Sequence, residues 1–382
     1  MLRQLTRVQA LLLCLLASVF YQCQKAQIPT KSVAIDSTLV QASITKEGLL
    51  DCFEEGLAVQ GGIPIWCEAS AVVYDGYRLT IANDKTMPDI RSSVFYWFGW
   101  DDFQNAKPTR YRLEPAVKNA SKFEDFALTP DKNMVFLSTA FDRVKDDNTE
   151  WDNYNSIIYW QKDRPYLSRV LSIEEKAPTS VKLREMFIST LSKNNADYPN
   201  GIKYFKTEGL AATETHLFFG IREMGNQYND FKYVSKILSL PYRTWRDTDS
   251  TRAAGITGYF ETIADLNLQS LVDFTLPANM GLSSIEYDAT RKLFWILTSY
   301  EAPTQLGAYL WVATETELRN NKMRIVRDAD NNPLFFNHKA EDLTFITPNT
   351  MLIVHDDDRM QLMVNGVQRK PHQAPYTIVT IK

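Results

Sequence analysis

The stretch Glu208-Gly-Leu-Ala-Ala212, Thr213-Glu-Thr215, His216-Leu-Phe-Phe-Gly220 sets an acidic residue before a short apolar run. A polar turn follows, then a second apolar run that closes on Arg222-Glu223. Two such runs joined by turn residues read as a β-hairpin. Neither run alternates apolar with polar residues, so both strands are expected to be buried on both faces. The pattern recurs. Glu68-Ala-Ser-Ala-Val-Val leads through Tyr74-Asp-Gly76 to Arg78-Leu-Thr-Ile-Ala82 and ends on Asn83-Asp84-Lys85. Glu124-Asp-Phe-Ala-Leu leads to Met134-Val-Phe-Leu-Ser138 and ends on Phe141-Asp142-Arg143. Ser283-Ser-Ile-Glu-Tyr leads to Leu293-Phe-Trp-Ile-Leu297 and ends on Ser299-Tyr300-Glu301, with Ser283 in the acidic position. Glu341-Asp-Leu-Thr-Phe leads to Met351-Leu-Ile-Val354 and ends on His355-Asp-Asp-Asp358.

The intervals between hairpins hold further strand-like runs, among them Val94–Phe98, Tyr111–Leu113, Tyr233–Leu240 and Gly258–Ile263. Four strands per unit with the most apolar pair first is the layout of a β-propeller blade. The fold class read here is all-β, a propeller of four-stranded blades. Five blades are expected, with a sixth, irregular blade around Cys52–Cys67 and Glu55-Gly-Leu-Ala-Val59 as the alternative. Lys31 to Ile44 also reads as strand and is placed beside Tyr376–Ile381 to complete the last blade. Thr179 to Leu191 breaks the pattern: Leu183, Met186, Phe187 and Leu191 recur at helical spacing, which predicts a short helical insertion between blades two and three.

The hairpins led by Glu68-Ala-Ser-Ala, Glu124-Asp-Phe-Ala, Glu208-Gly-Leu-Ala and Glu341-Asp-Leu-Thr cover most of residues 66–382. They resemble the phytase-like (esterase-like) and related secreted bacterial β-propeller families. That resemblance implies phosphate-ester or ester chemistry. It brings no catalytic set that can be matched residue by residue.

Composition narrows the function classes. The chain of 382 residues is 45% apolar and 23% charged, which suits a folded globular protein. Its net charge is −4 and no basic block occurs, so no nucleic-acid partner is expected. Arg3 and Arg7 precede an apolar run, Leu11 to Tyr21, too short to span a bilayer and suited to a signal peptide. Residues 1–22 are read as that signal and 23–382 as one propeller domain. Cys23, just after the run, is a candidate for lipidation, the one expected link to a membrane. The expected location is periplasmic or outer-membrane-anchored, with ordinary secretion as the alternative, and a monomer is expected. With Cys14 in the signal and Cys23 at the anchor, Cys52 and Cys67 remain to form a disulfide.

In a hairpin the second strand ends beside the start of the first. Carried around the axis, that places Glu68, Glu124, Glu208 and Glu341 at one mouth of the channel. Asp84, Asp142, Glu223, Glu301, His355 and Asp356 should surround them, with Lys85, Arg143 and Arg222 on the same rim. All thirteen are candidate ligand-binding residues. Two roles are open to the glutamates. They accept backbone amides of the next blade, or they hold a ligand or a hard cation, Ca²⁺ or Mg²⁺, through Glu208, Glu341 and Asp356. Asp328-Ala-Asp-Asn-Asn332 lacks the Gly and Glu of a calcium loop and reads as a turn. No Gly-x-Ser-x-Gly, His-Glu-x-x-His, P-loop or dinucleotide fingerprint occurs. The sequence therefore points to binding of a small or polymeric ligand at an acidic mouth, with cation-dependent phosphate-ester hydrolysis or an interaction scaffold as alternatives. Whether the protein is an enzyme stays open.

Overall fold

In the computed structural model, which describes residues 40–145, 147–247, 251–302 and 305–382, the hairpins open five antiparallel sheets. Blade 1 runs outward through Ala69–Tyr74, Arg78–Asn83, Val94–Phe98 and Arg110–Tyr111. Blade 2 uses Phe123–Leu128, Met134–Thr139, Ile157–Gln161 and Arg169–Val170. In blade 3, Tyr204–Ala212 and His216–Gln227 lead to the long Asp230–Arg246 strand. Its length lets it pair with Arg252–Ile256 at one end and Glu261–Asp265 at the other. Blade 4 comprises Gly281–Asp288, Leu293–Ala302 and Gln305–Ala313, edged by Arg324–Ile325 and Phe335–Phe336.

Blade 5 takes Ala340–Thr347, Thr350–His355 and Gln373–Ile381 from the C-terminus and Ala42–Asp51 from the N-terminus. Ala42 pairs with Ile381 and Asp51 with Gln373, so strand pairing closes the ring. The closing strand starts at Ala42 and runs to Asp51, later than the Lys31–Ile44 expectation; residues 31–39 lie outside the described residues. The expected signal peptide, Cys14 and Cys23 lie outside them too. Among the described residues no helix is long and apolar enough to cross a membrane.

The five innermost strands contact one another in order, 1 to 2 to 3 to 4 to 5 and back to 1. Each is pressed between two neighbours, which explains why Phe123–Leu128 is buried at every position but its last and does not alternate. The sixth-blade alternative is corrected: Cys52 to Glu68 is a loop whose only pairing is the isolated bridge Ala58–Pro64. Cys52 and Cys67 are bonded, with Cα atoms 6.2 Å apart. They join the end of the closing strand to the entry of blade 1, so the bond staples the ring where its two ends meet.

The insertion forms a helix over Leu183–Ser192, starting four residues later than expected. Leu183, Phe187 and Leu191 enter the core shared by blades 2 and 3. The Phe187 ring lies 5.2 Å from Phe141, 5.2 Å from Phe205 and 4.0 Å from Phe260. The helix therefore fills the gap between those blades. Asp328 is the turn that was expected, its Oδ1 accepting the amides of Asp330 and Asn332 at 2.9 and 2.8 Å.

Candidate functional site

Every innermost strand shifts register against its partner at the same point. The breaks lie between Ala69 and Ala71, Phe123 and Asp125, Thr207 and Gly209, Leu282 and Ser284, and Ala340 and Asp342. A β-bulge inserts one residue and re-aims its side chain. The inserted residues are Ser70, Glu124, Glu208, Ser283 and Glu341. This register corrects the sequence alignment of blade 1, where Ser70, and not Glu68, matches the glutamates. Glu68 matches the residue two places earlier, which is Lys122, Lys206, Gly281 and Lys339 in the other blades.

The repeat is therefore Lys-x-Glu in blades 2, 3 and 5, and its lysines escaped the sequence reading. The spacing Lys122-Phe-Glu124, Lys206-Thr-Glu208, Lys339-Ala-Glu341 was visible, and an i, i+2 pair on a strand shares one face. One carboxylate oxygen from each of Glu124, Glu208 and Glu341 lies within 4.8 Å of the others. Lys206 bonds to Glu208 and sits 3.4 Å from Glu124 Oε1. Lys122 lies 3.5 Å from the same oxygen and 3.3 Å from Asp84, and Lys339 lies 2.9 Å from Glu341.

The two exceptional blades supply the cation differently. In blade 4 a side chain at Gly281 would meet Arg222 at 2.8 Å, so the glycine leaves room for that arginine. Arg222 then reaches Glu208 at 3.2 Å and donates to Ser283 and Ser299 at 2.8 and 3.0 Å. In blade 1 the charges are reversed. Glu68 takes the lysine position, and Lys85 answers it at 2.5 Å while also reaching Asp84 at 3.3 Å. The mouth is thus a ring of alternating charge. To the acidic mouth expected from the sequence, with Lys85, Arg143 and Arg222 on its rim, the structure adds Lys122, Lys206 and Lys339.

Burial and this alternation split the proton affinities. Burial pushes Glu124 up to about 8 and Glu341 to about 7, with Lys206 and Lys122, and Lys339, holding them from rising further. Burial acts the same way on Glu208, but Arg222 and Lys206 override it and keep that carboxyl below its usual range. Asp84 is likewise held well down by Lys122 and Lys85 against its own burial. Asp356 is raised by burial, and by Glu68 and Asp358 against the pull of Lys339.

The remaining candidates fall around this core. Asp356 groups with Glu68 and Asp358, apart from Glu208 and Glu341, so the three carboxylates named for a cation do not form one set. Glu301 pairs with Lys339 at 3.3 Å. Asp142 holds Arg143 through two bonds of 3.0 and 2.6 Å, and the guanidinium lies 4.5 Å from the Tyr154 ring and 5.7 Å from Tyr228. Glu223 accepts from the Tyr204 hydroxyl at 2.5 Å. His355 does not join the mouth. It is fully buried, bonded through Nε2 to Thr377 at 2.8 Å, with its ring 5.0 Å from His338.

The residues after two of the bulges, Asp125 and Asp342, link the blades. Asp125 of blade 2 accepts the amides of Leu210 in blade 3 and Ile285 in blade 4, at 2.6 and 3.3 Å. Asp342 of blade 5 accepts from Val72 in blade 1 at 2.6 Å and from Ser284 in blade 4 at 2.8 Å. Burial raises both carboxyls, and the charge of Asp342 pushes Asp125 further above the usual carboxyl range. Two buried carboxyls that raise each other's proton affinity favour holding one proton between them. The inter-blade capping expected of the glutamates belongs to these aspartates, and one pair ties all five blades.

No family model and no curated protein matches the chain. Solved structures do resemble it. An α-L-arabinofuranosidase from Podospora anserina is 9% identical over 89% of this chain and 96% of its own, with a TM-score of 0.39. A GH62 α-L-arabinofuranosidase catalytic domain from Coprinopsis cinerea is 10% identical over 90% and 96%, with a TM-score of 0.41. A glycosyl hydrolase from Bacteroides ovatus is 8% identical over 90% and 91%, with a TM-score of 0.38. Likeness this distant carries no argument about activity, and the propeller stands on its own five sheets. None of these three is a phytase, and the phytase-like resemblance rests on its short motifs alone.

Proposed function

We propose that the protein is an exported β-propeller that binds a carbohydrate, small or polymeric, at the charged mouth of its channel. The alternation of charge carries this reading. Lys85, Arg143 and Glu301 keep 43%, 33% and 41% of their side chains exposed, so donors and acceptors stand side by side on the rim. Hydroxyl groups both donate and accept and match such a rim, whereas a simple ion meets charges already answered. Tyr228, 67% exposed, offers a ring for the apolar face of a sugar. Buried ion networks of this kind seldom add net stability, which supports a retained function. Export rests on the N-terminal segment and on a disulfide that persists in oxidising compartments.

Isothermal titration with soluble β-glucan, xylan, arabinan and mannan tests the reading. Lys85→Ala and the exposed Tyr228→Ala should each weaken binding at least tenfold. Binding that both variants leave unchanged would remove the mouth as the site.

Glycoside hydrolysis is a second reading with one observation in its favour. Glu124 retains a proton near neutrality while its neighbour Glu208 stays ionised, the division of labour between an acid and its partner carboxylate. Both are shielded from solvent, at 3% and 1% exposure, which ranks binding first. Glu124→Gln should abolish turnover of a bound glycan and spare its binding. Phosphate-ester hydrolysis ranks behind both, because a divalent cation would enter among lysines that already neutralise the glutamates.

A further inference from the structure

A cavity of about 1090 Å³ lies away from the channel, on the outer flank of blade 3. That is just above the range for ligand pockets, about 300–1,000 Å³. The end of the helix Leu183–Ser192 and the chain that follows it form one wall, and Tyr259 to Thr262 form the other. Val234 on the long Asp230–Arg246 strand gives an apolar floor. The wall is anchored by Phe260, whose ring packs 4.0 Å from Phe187 in the core. Its neighbour Tyr259 is turned outward and 83% exposed, and no ring stacks on it among the described residues. A large aromatic held in water by a rigid neighbour is a stacking platform in search of a partner.

Glu185 and Lys193 line the cavity, and five of its other charged residues are answered locally. Lys232 pairs with Asp197 at 3.4 Å, Lys236 with Asp265, and Glu261 with Arg319 at 3.2 Å. An ionic ligand gains little there. Ser189, Thr190, Asn194 and Asn195 line the same space with hydroxyl and amide groups. We infer that this cavity is a second binding site, for a neutral oligosaccharide that stacks one ring on Tyr259 and directs its hydroxyls to those side chains. It stands independently of the mouth.

Titration of the full mature chain with cellohexaose, xylohexaose, arabinohexaose and mannohexaose tests it, alongside Tyr259→Ala and Tyr259→Trp. At least one hexaose should bind wild type and weaken at least tenfold in Tyr259→Ala. The same sugar should shift the indole emission of Tyr259→Trp to the blue, a change that wild type does not show. Lys85→Ala should leave that event untouched. Loss in Lys85→Ala alone would uphold the mouth and remove the cavity, and loss in Tyr259→Ala alone would do the reverse. No hexaose binding, or capture of a peptide in place of sugar, would overturn the inference.

Discussion

The two aspartates that link the blades make a prediction about pH. Burial raises Asp125 well above the usual carboxyl range and Asp342 to about 7, and Glu124 and Glu341 are raised as well. The unfolded chain releases these protons near pH 4, so the native state binds more of them. Stability from a raised group is complete below its unfolded pKa and is lost as pH climbs through the folded one. Glu208 and Asp84 are held down and act oppositely, losing their contribution only in acid. Thermal unfolding should show a maximum on the acid side of neutrality and a decline of a few kcal/mol from about pH 5 to about pH 8, since each tenfold gain in proton affinity is worth about 1.4 kcal/mol. Asp125→Asn supplies a permanent donor to Asp342 and should flatten that decline. A profile that rises steadily from pH 5 to 8 would contradict the shared proton. At this scale the acidic residues were legible in the sequence but their roles were not. A bulge leaves no mark on a hydrophobic pattern, so Glu68 slid two places into a register that belongs to Ser70. The same blindness hid Lys122, Lys206 and Lys339, whose long apolar stems pass for surface lysines until the strands are paired.

Among the elements, ring closure depends on one strand and one covalent bond. The Cys52–Cys67 bond closes a separation of 15 residues, which corresponds to about 3 kcal/mol. Cys52→Ser with Cys67→Ser should lower stability by about that amount in denaturant titrations, within the roughly 2–5 kcal/mol seen for native bonds. No change would mean that the closing strand holds without the staple. Phe187→Ala, which opens a void among four aromatic rings, should cost about 3–5 kcal/mol. The hairpins could be read in advance because two apolar runs flank a polar turn, and the helix because its apolar residues recur at a strong period. The outer strands were harder: Arg110–Tyr111 and Arg169–Val170 span only two residues each. Nothing that short shows a period, and such strands form because a sheet edge is waiting for them.

For the whole molecule, five blades were legible because each must bury an apolar pair. The alternating ring and the flank cavity were not, since both arise from residues far apart in sequence that only the closed ring brings together. The ring also predicts indifference to cations: unfolding curves in calcium and in chelator should coincide, and a calcium-dependent rise would restore a metal at Glu124, Glu208 and Glu341. The central claim is that the charged mouth is kept for binding at no gain in stability. The most direct test replaces two charges of each sign together, Glu124→Leu, Lys206→Met, Glu208→Leu and Arg222→Met, and measures unfolding and glycan binding on one preparation. Exchanging buried ion pairs for packed apolar side chains is often neutral or stabilising by about 1–4 kcal/mol. The account predicts a melting temperature equal to or above that of wild type, with the Lys85-dependent binding at the mouth lost. A clear fall in melting temperature with that Lys85-dependent binding intact would show that the ring serves the fold and not the ligand.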